Sequence, residues 1–391
     1  MKFRKIFIQG FKDEMKMVIV DHSILLTVLV APLIYVFLIG SIYQNKEIKQ
    51  IPFSVVDYDK TPTTLKLTQL LSADPKIKFM KTPNGYEEAK KEMYRLKIQG
   101  FLVFPKGFEK HLLKGEATDV NLYLNTTRFL PSNDLNRAVN TVMMAVGSGI
   151  RLHYFATKGL NEKYGMQLIN PVMADVHPMY NATNNYGDYL LPGLLFLILQ
   201  QTLLIGLGES FVRRRERGEL TGILQKNGGG IVAWFGGSLG YYILLYAAYI
   251  LFFFGIGFPV LDIPLRGNPV ALFTIALLFL MVVMAYTLLI ASFSKKQIRI
   301  MELLAFTSYP LFLLSGYSWP VNAMPQPLQW LARIIPTTPM MDAVTKLCAE
   351  GTGWGPVLGD FRQLLLMLLI STLLLYWRIA VLKKRMVPAV A

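Results

Sequence analysis

Long uninterrupted apolar segments dominate the pattern of hydrophobic and polar positions along this chain. A membrane-spanning helix needs about 20 predominantly apolar residues. Asp, Glu, Lys, Arg and His are absent from Ile231–Phe258 and from Val270–Phe293, which is rare for a buried helix of a soluble enzyme. We predict six transmembrane helices, at Val18–Tyr43, Tyr189–Phe211, Ile231–Phe258, Val270–Phe293, Met301–Gly316 and Gln363–Val381.

The first apolar segment lies where a secretory signal peptide would lie. A signal peptide has an apolar stretch of about 7–15 residues that ends in small residues. The segment Val18–Tyr43 is longer and ends with Ser41-Ile42-Tyr43. We therefore interpret it as a retained membrane anchor.

The residues between the first two spans follow a different pattern. Short β-rich segments alternate with amphipathic helical segments, and Thr61-Pro62 has the form of a helix start, with a capping threonine and a proline at the first helical position. This pattern predicts a compact α/β domain over residues 44–188. Its predicted strands are Pro52–Asp57, Ile77–Met80, Gly100–Phe104 and Val120–Leu124, and its predicted helices begin at Thr61, Gly85 and Ser132.

Catalytic chemistry finds little support in the sequence. Asp57 and Asp59 lie at the end of the first strand, where aspartates typically begin a turn, and we favour that role over paired catalytic carboxylates. The single cysteine, Cys348, excludes an intramolecular disulfide, and the 4 histidines are widely spaced. We predict no catalytic residues and no metal site, which makes a membrane enzyme the least favoured class.

The net charge of +15 by itself suggests nucleic acid as a partner, and the positions of the basic residues decide whether it is one. They cluster beside the predicted spans, as the positive-inside rule requires of cytoplasmic loops. With six spans, all clusters fall on one side, so we predict cytoplasmic termini, an extracytoplasmic domain and no nucleic-acid binding. The clusters are Lys2, Arg4, Lys5, Lys12 and Lys16; Arg213, Arg214, Arg215, Arg217 and Lys226; Lys295, Lys296 and Arg299; and Lys383, Lys384 and Arg385, the last in a predicted tail over 383–391.

Residues 1–17 carry apolar side chains at helical spacing among basic ones. This pattern is typical of a helix that lies in the lipid headgroup plane, and a merely basic tail is the alternative. The predicted membrane-interface residues are Phe3, Ile6, Phe7, Phe11 and Met15.

The loop after the second span, residues 212–230, alternates charged residues with a short apolar face. Two interpretations remain open: the apolar side chains fill a groove on a cytosolic partner while the arginines steer the approach, or the arginines anchor the helix at lipid headgroups. The residues concerned are Arg213, Arg214, Arg215, Glu216, Arg217, Gly218, Glu219, Leu220, Ile223 and Leu224.

An energy source is missing from this chain. It has no G-x-x-x-x-G-K-[ST] phosphate loop, and its carboxylates lie near predicted span ends, which fits proton coupling poorly. The few polar residues deep in the spans predict either a substrate pathway or helix–helix hydrogen bonds. These candidate pathway residues are Gln200, Gln201, Thr202, Ser308 and Tyr309.

The chain has one span, then a large outer domain, then five spans, and this order resembles that of the membrane subunits of ABC-2 type exporters. The loop after the second span carries part of the resemblance, with the sequence Glu216-Arg217-Gly218-Glu219-Leu220-Thr221-Gly222-Ile223-Leu224. Three further stretches carry the resemblance. They are Val56-Asp57-Tyr58-Asp59, the run from Tyr180-Asn181 to Pro192-Gly193, and Ser315-Gly316-Tyr317-Ser318-Trp319-Pro320 followed by Met324-Pro325, Leu328 and Pro336.

The resemblance implies a pair of permeases, identical or similar, bound to two cytosolic ABC ATPase subunits that use ATP and magnesium; this chain itself would hold no cofactor. The loop at 212–230 would be the coupling helix, and residues 1–17 would lie near the ATPase. Residues 318–340 would form two short helices that dip back into the membrane, with an ordinary outer loop as the alternative. The residues marking that segment are Gly316, Trp319, Pro320, Pro325, Trp330 and Pro336.

Together these features predict an α-helical membrane protein with six transmembrane helices, 18–43 and a five-helix bundle over 189–382, and an inserted α/β extracytoplasmic domain. The resemblance implies export of amphipathic substrates, such as drugs, lipids or lipid-linked compounds, across a bacterial cytoplasmic (inner) membrane. Membrane lipids are expected neighbours, and the outer domain is expected to receive substrate or to dock a periplasmic adaptor. The alternative is a membrane-anchored binding or signalling protein without transport activity.

Overall fold

The computed structural model describes residues 2–43, 48–114, 116, 118–157, 159, 179–181, 186–226 and 228–386. Two compact units emerge from it. One comprises Met1–Lys46 with Pro178–Ala391, and the other comprises Glu47–His177. The first unit is helical, and the second carries one small four-stranded sheet.

The helices, in chain order, are α1 (Lys2–Val20), α2 (His22–Tyr43), α3 (Pro62–Ser72), α4 (Tyr86–Tyr94), α5 (Phe108–Leu113), α6 (Phe129–Thr157), α7 (Tyr186–Glu216), α8 (Glu219–Leu224), α9 (Gly228–Val260), α10 (Pro269–Ala291), α11 (Gln297–Leu314), α12 (Gln326–Arg333), α13 (Thr337–Val344) and α14 (Trp354–Met386). The strands are β1 (Ile51–Asp57), β2 (Ile77–Phe79), β3 (Gly100–Phe104) and β4 (Asn121–Leu124). Single π-helical turns interrupt α2 at Leu26–Val30 and α9 at Phe253–Gly257.

Among the described residues, 5 helices are long and apolar enough to cross a membrane: α2, α7, α9, α10 and α14. Each overlaps a predicted span. The helices differ in how deeply they are buried. In α7, 78% of its 18-residue apolar stretch is buried within the chain, against 22% in α14. Helix α7 is therefore the centre of the bundle, with α10 and α11 packed along it.

The sixth predicted span, Met301–Gly316, falls on α11, which is not among those 5 helices. Helix α11 has 18 residues, or about 27 Å at 1.5 Å per residue. Arg299 and Glu302 occupy its first turns and Pro310 lies inside it, so its apolar stretch is short. A sixth crossing stays a prediction.

The α/β unit is built on a sheet with strand order β2-β1-β3-β4. Strand β1 pairs in parallel with β2 and β3, and β4 pairs antiparallel to β3. The two central strands are largely apolar, as expected for parallel strands covered on both faces. Helices α3 and α6 pack on one face around Phe53 and Leu71, and α4 packs on the other around Ala89 and Phe101.

The aspartates at the end of β1 bind backbone N–H groups. Asp57 Oδ1 accepts hydrogen bonds at 2.9 Å from the backbone N–H groups of Asp59 and Lys60. Asp59 accepts from the N–H groups of Glu109 at 2.9 Å and Gly107 at 2.6 Å, and these bonds, that from Glu109 above all, hold the pKa of Asp59 below its usual value. The prediction that these aspartates begin a turn is confirmed for Asp57, whereas Asp59 holds the start of α5.

Helix α1 lies against α9 with almost no space between the two backbones. A Cβ added at Gly237 would lie 1.9 Å from the carbonyl oxygen of Phe7, and one added at Gly10 would lie 2.2 Å from that of Trp234. Small residues at a helix crossing permit this approach. The glycines thus determine how closely α1 is held to the bundle.

We expect Gly237→Ala to destabilise the protein by about 1–3 kcal/mol, because its methyl group would overlap the backbone of α1. Gly236→Ala is the matched control, since its methyl group would lie 3.6 Å from the Phe7 ring, an ordinary contact. Chemical unfolding in mixed micelles, followed by tryptophan fluorescence, measures both. Equal stability of the two variants would contradict this account of the packing.

Candidate functional site

Three consecutive arginines lie in the last turn of α7, and each contacts a different part of the helical unit. Successive residues point about 100° apart around a helix. Arg213 forms an ion pair with Asp21, the residue that caps α2. Arg215 donates to the carbonyl oxygens of Ser292 and Ser294, at 2.9 and 2.7 Å, where α10 ends. We call Arg213, Arg214 and Arg215 the arginine hub.

Arg214, the middle residue of the hub, pairs with Glu14 of α1, and both side chains are almost completely buried. Glu14 Oε2 accepts from Arg214 Nη2 at 3.1 Å and from Ser238 Oγ at 2.8 Å. Glu14 Oε1 accepts from Tyr242 at 3.1 Å and from Ser210. A buried ion pair is tolerated when further hydrogen bonds satisfy its charges, and here donors from α7 and α9 supply them.

The same guanidinium also holds the start of α8 and the neighbouring turn of α1. Arg214 donates to the Asp13 carbonyl oxygen at 3.0 Å and lies 3.5 Å from Glu219 Oε2. It stacks over the Trp234 ring at 5.1 Å from the centroid, and the Trp234 indole donates to Asp13 Oδ2 at 3.1 Å. One side chain therefore connects α1, α7, α8 and α9.

The predicted coupling loop folds back on its own chain. Helix α7 ends at Glu216, Gly218 adopts a left-handed φ of 75°, and the six-residue α8 follows. The apolar side chains of α8 (Leu220, Ile223 and Leu224) are buried against the bundle, which leaves them unavailable to fill a groove on a partner. The exposed part is the charged turn formed by Glu216, Arg217, Gly218 and Glu219.

The predicted membrane-interface residues divide between two faces of α1. Phe3, Phe7 and Met15 are exposed, whereas Ile6 and Phe11 pack half-buried on the bundle. The buried face consists of Gly10, Glu14, Met17 and Val18. The sequence therefore indicated the apolar residues of α1, and it missed Glu14, the buried charge on the face that packs against the bundle.

The candidate pathway residues on α7 bond to three different neighbours. Gln200 accepts from Thr337 of α13 at 2.8 Å, Gln201 donates to the Leu304 carbonyl of α11 at 3.0 Å, and Thr202 is bonded to Tyr246 of α9 at 3.0 Å. These are the helix–helix hydrogen bonds of the alternative interpretation. The two residues on α11 lie apart from them: Ser308 is half-buried and Tyr309 is exposed.

The predicted re-entrant segment forms a 3-10 turn at Val321–Ala323 and then α12 and α13. Tyr317 stacks on Tyr189 of α7, with ring centroids 5.1 Å apart, and Gly316 makes the turn before it at φ 86°. Of the other predicted residues, Trp319, Pro320, Pro325 and Trp330 are exposed and Pro336 is buried.

Sequence reasoning missed Glu14 and Asp21. A signal for Glu14 existed: Asp13 and Glu14 are the only acids among the first seventeen residues, within a helix otherwise rich in basic residues. In the described ranges, no group of three or more His, Cys, Asp or Glu side chains could hold a metal ion.

The long apolar helices, packed around a polar hub, are those of a multi-pass membrane protein. The profile of the family described as "ABC-2 family transporter protein" matches residues 22–377. The chain therefore belongs to the ABC-2 transporter family, and it is a membrane component of an ABC transporter. Membership implies association with an ABC ATPase subunit.

Similar proteins come from bacteria and from a eukaryote. The chain is 22% identical to "Probable multidrug ABC transporter permease YbhS" of Escherichia coli, over 86% of this chain and 87% of that protein. It is 23% identical to "Linearmycin resistance permease protein LnrN" of Bacillus subtilis, over 84% and 87%. It is also 23% identical to "ABC transporter G family member 20" of Dictyostelium discoideum over 84% of this chain, but spans only 43% of that protein.

We expect Glu14→Ala to destabilise the protein by about 3–5 kcal/mol, because it leaves the Arg214 guanidinium buried without its counter-ion. Glu14→Ala combined with Arg214→Ala should cost less than the sum of the single changes, since the pair is removed together. Unfolding in mixed micelles measures all three variants. Glu216→Ala, on the exposed turn, is the control and should stay within about 0.5 kcal/mol of wild type; a Glu14→Ala variant as stable as this control would contradict the ion-pair account.

Proposed function

We propose that this chain is the permease subunit of an ATP-driven exporter that moves amphipathic substrates, such as drugs, lipids or lipid-linked compounds, outward across a bacterial cytoplasmic membrane. ATP and magnesium bind to separate cytosolic ABC ATPase subunits, because this chain lacks a phosphate loop. A second permease, identical or similar, completes the transporter. The single observation that carries the proposal is the arginine hub, which connects an exposed charged turn to four transmembrane helices.

In this proposal, the arginine hub carries the movement of the ATPase to the helices of the substrate pathway. An ATPase that binds Glu216, Arg217 and Gly218 moves the end of α7. Because Arg213 holds α2, Arg214 holds α1 and α9, and Arg215 holds the end of α10, these elements move with it. A packed, hydrogen-bonded core changes between discrete arrangements, and we propose inward-open and outward-open states as the two arrangements.

The pathway lies along α7 and α11 in this proposal. Gln200, Gln201 and Thr202 bond to neighbouring helices in the described conformation, so a pathway along them requires these bonds to open. Tyr309 lies on the exposed face of α11 together with Phe306. We propose that this face meets the second permease.

The proposed orientation in the membrane has six crossings and both termini in the cytoplasm. The basic residues flanking the spans favour this orientation. Helix α11, at about 27 Å, nearly matches a hydrocarbon core about 30 Å thick. The segment after α11 also reaches inward: Thr337 bonds to Gln200, 14 residues along α7 from Tyr186, or about 21 Å. This supports two short helices that dip into the membrane.

The coupling role predicts the outcome of changes confined to the exposed turn. Glu216→Ala with Arg217→Ala should reduce ATPase binding or permease-stimulated ATP hydrolysis at least about tenfold while leaving the unfolding free energy unchanged, because both side chains are exposed. The ABC ATPase that co-purifies with the wild-type chain is reconstituted with each variant in nanodiscs. Lys295→Ala with Lys296→Ala, also exposed, is the control; equal stimulation by both double variants would reject the coupling assignment.

The six-span topology predicts which sites a membrane-impermeant maleimide labels in intact cells. In a Cys348→Ala background, we expect a cysteine at Lys91 to be labelled, and cysteines at Lys5, Gln225 and Arg385 to react only after permeabilisation. All four positions are exposed on the protein. Labelling of Arg385 but not Lys5 in intact cells would indicate an odd number of crossings and would refute the six-span topology.

A further inference from the structure

A cavity of about 430 Å³ lies where the start of α7, the segment after α11, α13 and the start of α14 meet. Its volume falls in the range of small-molecule binding sites. Of the 12 lining residues that the structure describes, two are carboxylates, Asp342 and Asp360, and none is basic.

A single ammonium group lies behind the two carboxylates. Lys346 Nζ is 2.6 Å from Asp342 Oδ2 and 2.8 Å from Asp360 Oδ2, and Lys346 does not line the cavity. Two negative charges share one positive charge, so the group keeps one net negative charge. Because this charge faces a partly enclosed space, where the effective dielectric is below that of water, a monovalent cation is attracted into the cavity.

Two stacked aromatic rings form another wall. Tyr189 and Tyr317 are nearly parallel, with an interplanar angle of 6°, and both line the cavity. Aromatic faces attract organic cations. Val321, Pro339 and Met341 add an apolar surface, which suits the body of an amphipathic molecule.

A metal ion fits this cavity poorly. Calcium takes about six to eight oxygen ligands, and only two carboxylates are present here, each already bonded to Lys346. The carboxylates, the aromatic face and the apolar surface of the cavity together match an organic cation better than a metal ion.

We propose that this cavity binds the charged head of an amphipathic organic monocation, of the quaternary ammonium or phosphonium type. Asp342 supplies the attracting charge, and Tyr189, which is 40% exposed, supplies the aromatic face, with the buried Tyr317 ring stacked behind it. The proposal rests on the proposed function, because it makes this cavity a substrate site at the outer end of the export pathway and narrows the substrates to cations.

Two ions of nearly equal size and opposite charge test the proposal. Tetraphenylphosphonium and tetraphenylborate are each titrated by equilibrium dialysis against the purified full-length protein in phosphatidylcholine nanodiscs, and binding to empty nanodiscs is subtracted. We expect saturable, one-site binding of the phosphonium and no saturable binding of the borate. Equal binding of the two ions would overturn the proposal.

Matched variants locate the bound ion. Asp342→Asn should weaken phosphonium binding by about tenfold, since it removes the charge while Asp360 still pairs with Lys346. Tyr189→Leu should weaken it by about three- to tenfold, whereas Tyr189→Phe keeps the ring and should bind as wild type does. Glu350→Gln removes an exposed acid outside the cavity and should change nothing.

The outcomes separate this site from the proposed function. Phosphonium binding that depends on Asp342, in a protein that associates with no ABC ATPase, would support the site and reject the exporter. An exporter whose ATPase is stimulated, but whose phosphonium binding is unchanged by Asp342→Asn and Tyr189→Leu, would support the proposed function and overturn the site.

Discussion

The buried ion pair between Glu14 and Arg214 is the constraint on which the arrangement of this end of the bundle depends. Removing two charges from water costs several kcal/mol per ion unless each finds a full set of partners. Here the partners come from α1, α7 and α9 at once. Displacing any one of these helices exposes an unpaired charge, so the three helices hold one relative position or change position together.

The neighbouring arginines extend that constraint to the rest of the helical unit. Arg213 reaches the cap of α2, and Arg215 reaches the end of α10, where Arg378 of α14 also donates to Ser292. Positive side chains at carbonyl-rich helix ends complement the helix dipole. These charged groups thus gather at one end of the helical unit. Through these contacts the three arginines join α1, α2, α8, α9 and the end of α10 to α7.

The opposite end of α7 is held by aromatic contacts. The Tyr189 and Tyr317 rings stack on each other there, and Tyr317 fits closely against Gly193. The ion group around Lys346 lies beside them and is left one positive charge short of neutrality. One end of α7 thus carries a buried, hydrogen-bonded ion pair, and the other borders a partly open cavity with two carboxylates.

The sequence by itself determined the apolar spans, the α/β insertion, the turn role of Asp57 and the likeness to ABC-2 exporters, because hydrophobic periodicity and turn chemistry act over a few residues. Tertiary structure alone decided which side chains are available. Leu220 and Arg214 look like surface residues in a charged loop, yet both are buried, and Glu14 looks like one more charge on an interfacial helix. Glu14 and Arg214 lie 200 residues apart in sequence, and no local pattern records a contact between positions so far apart.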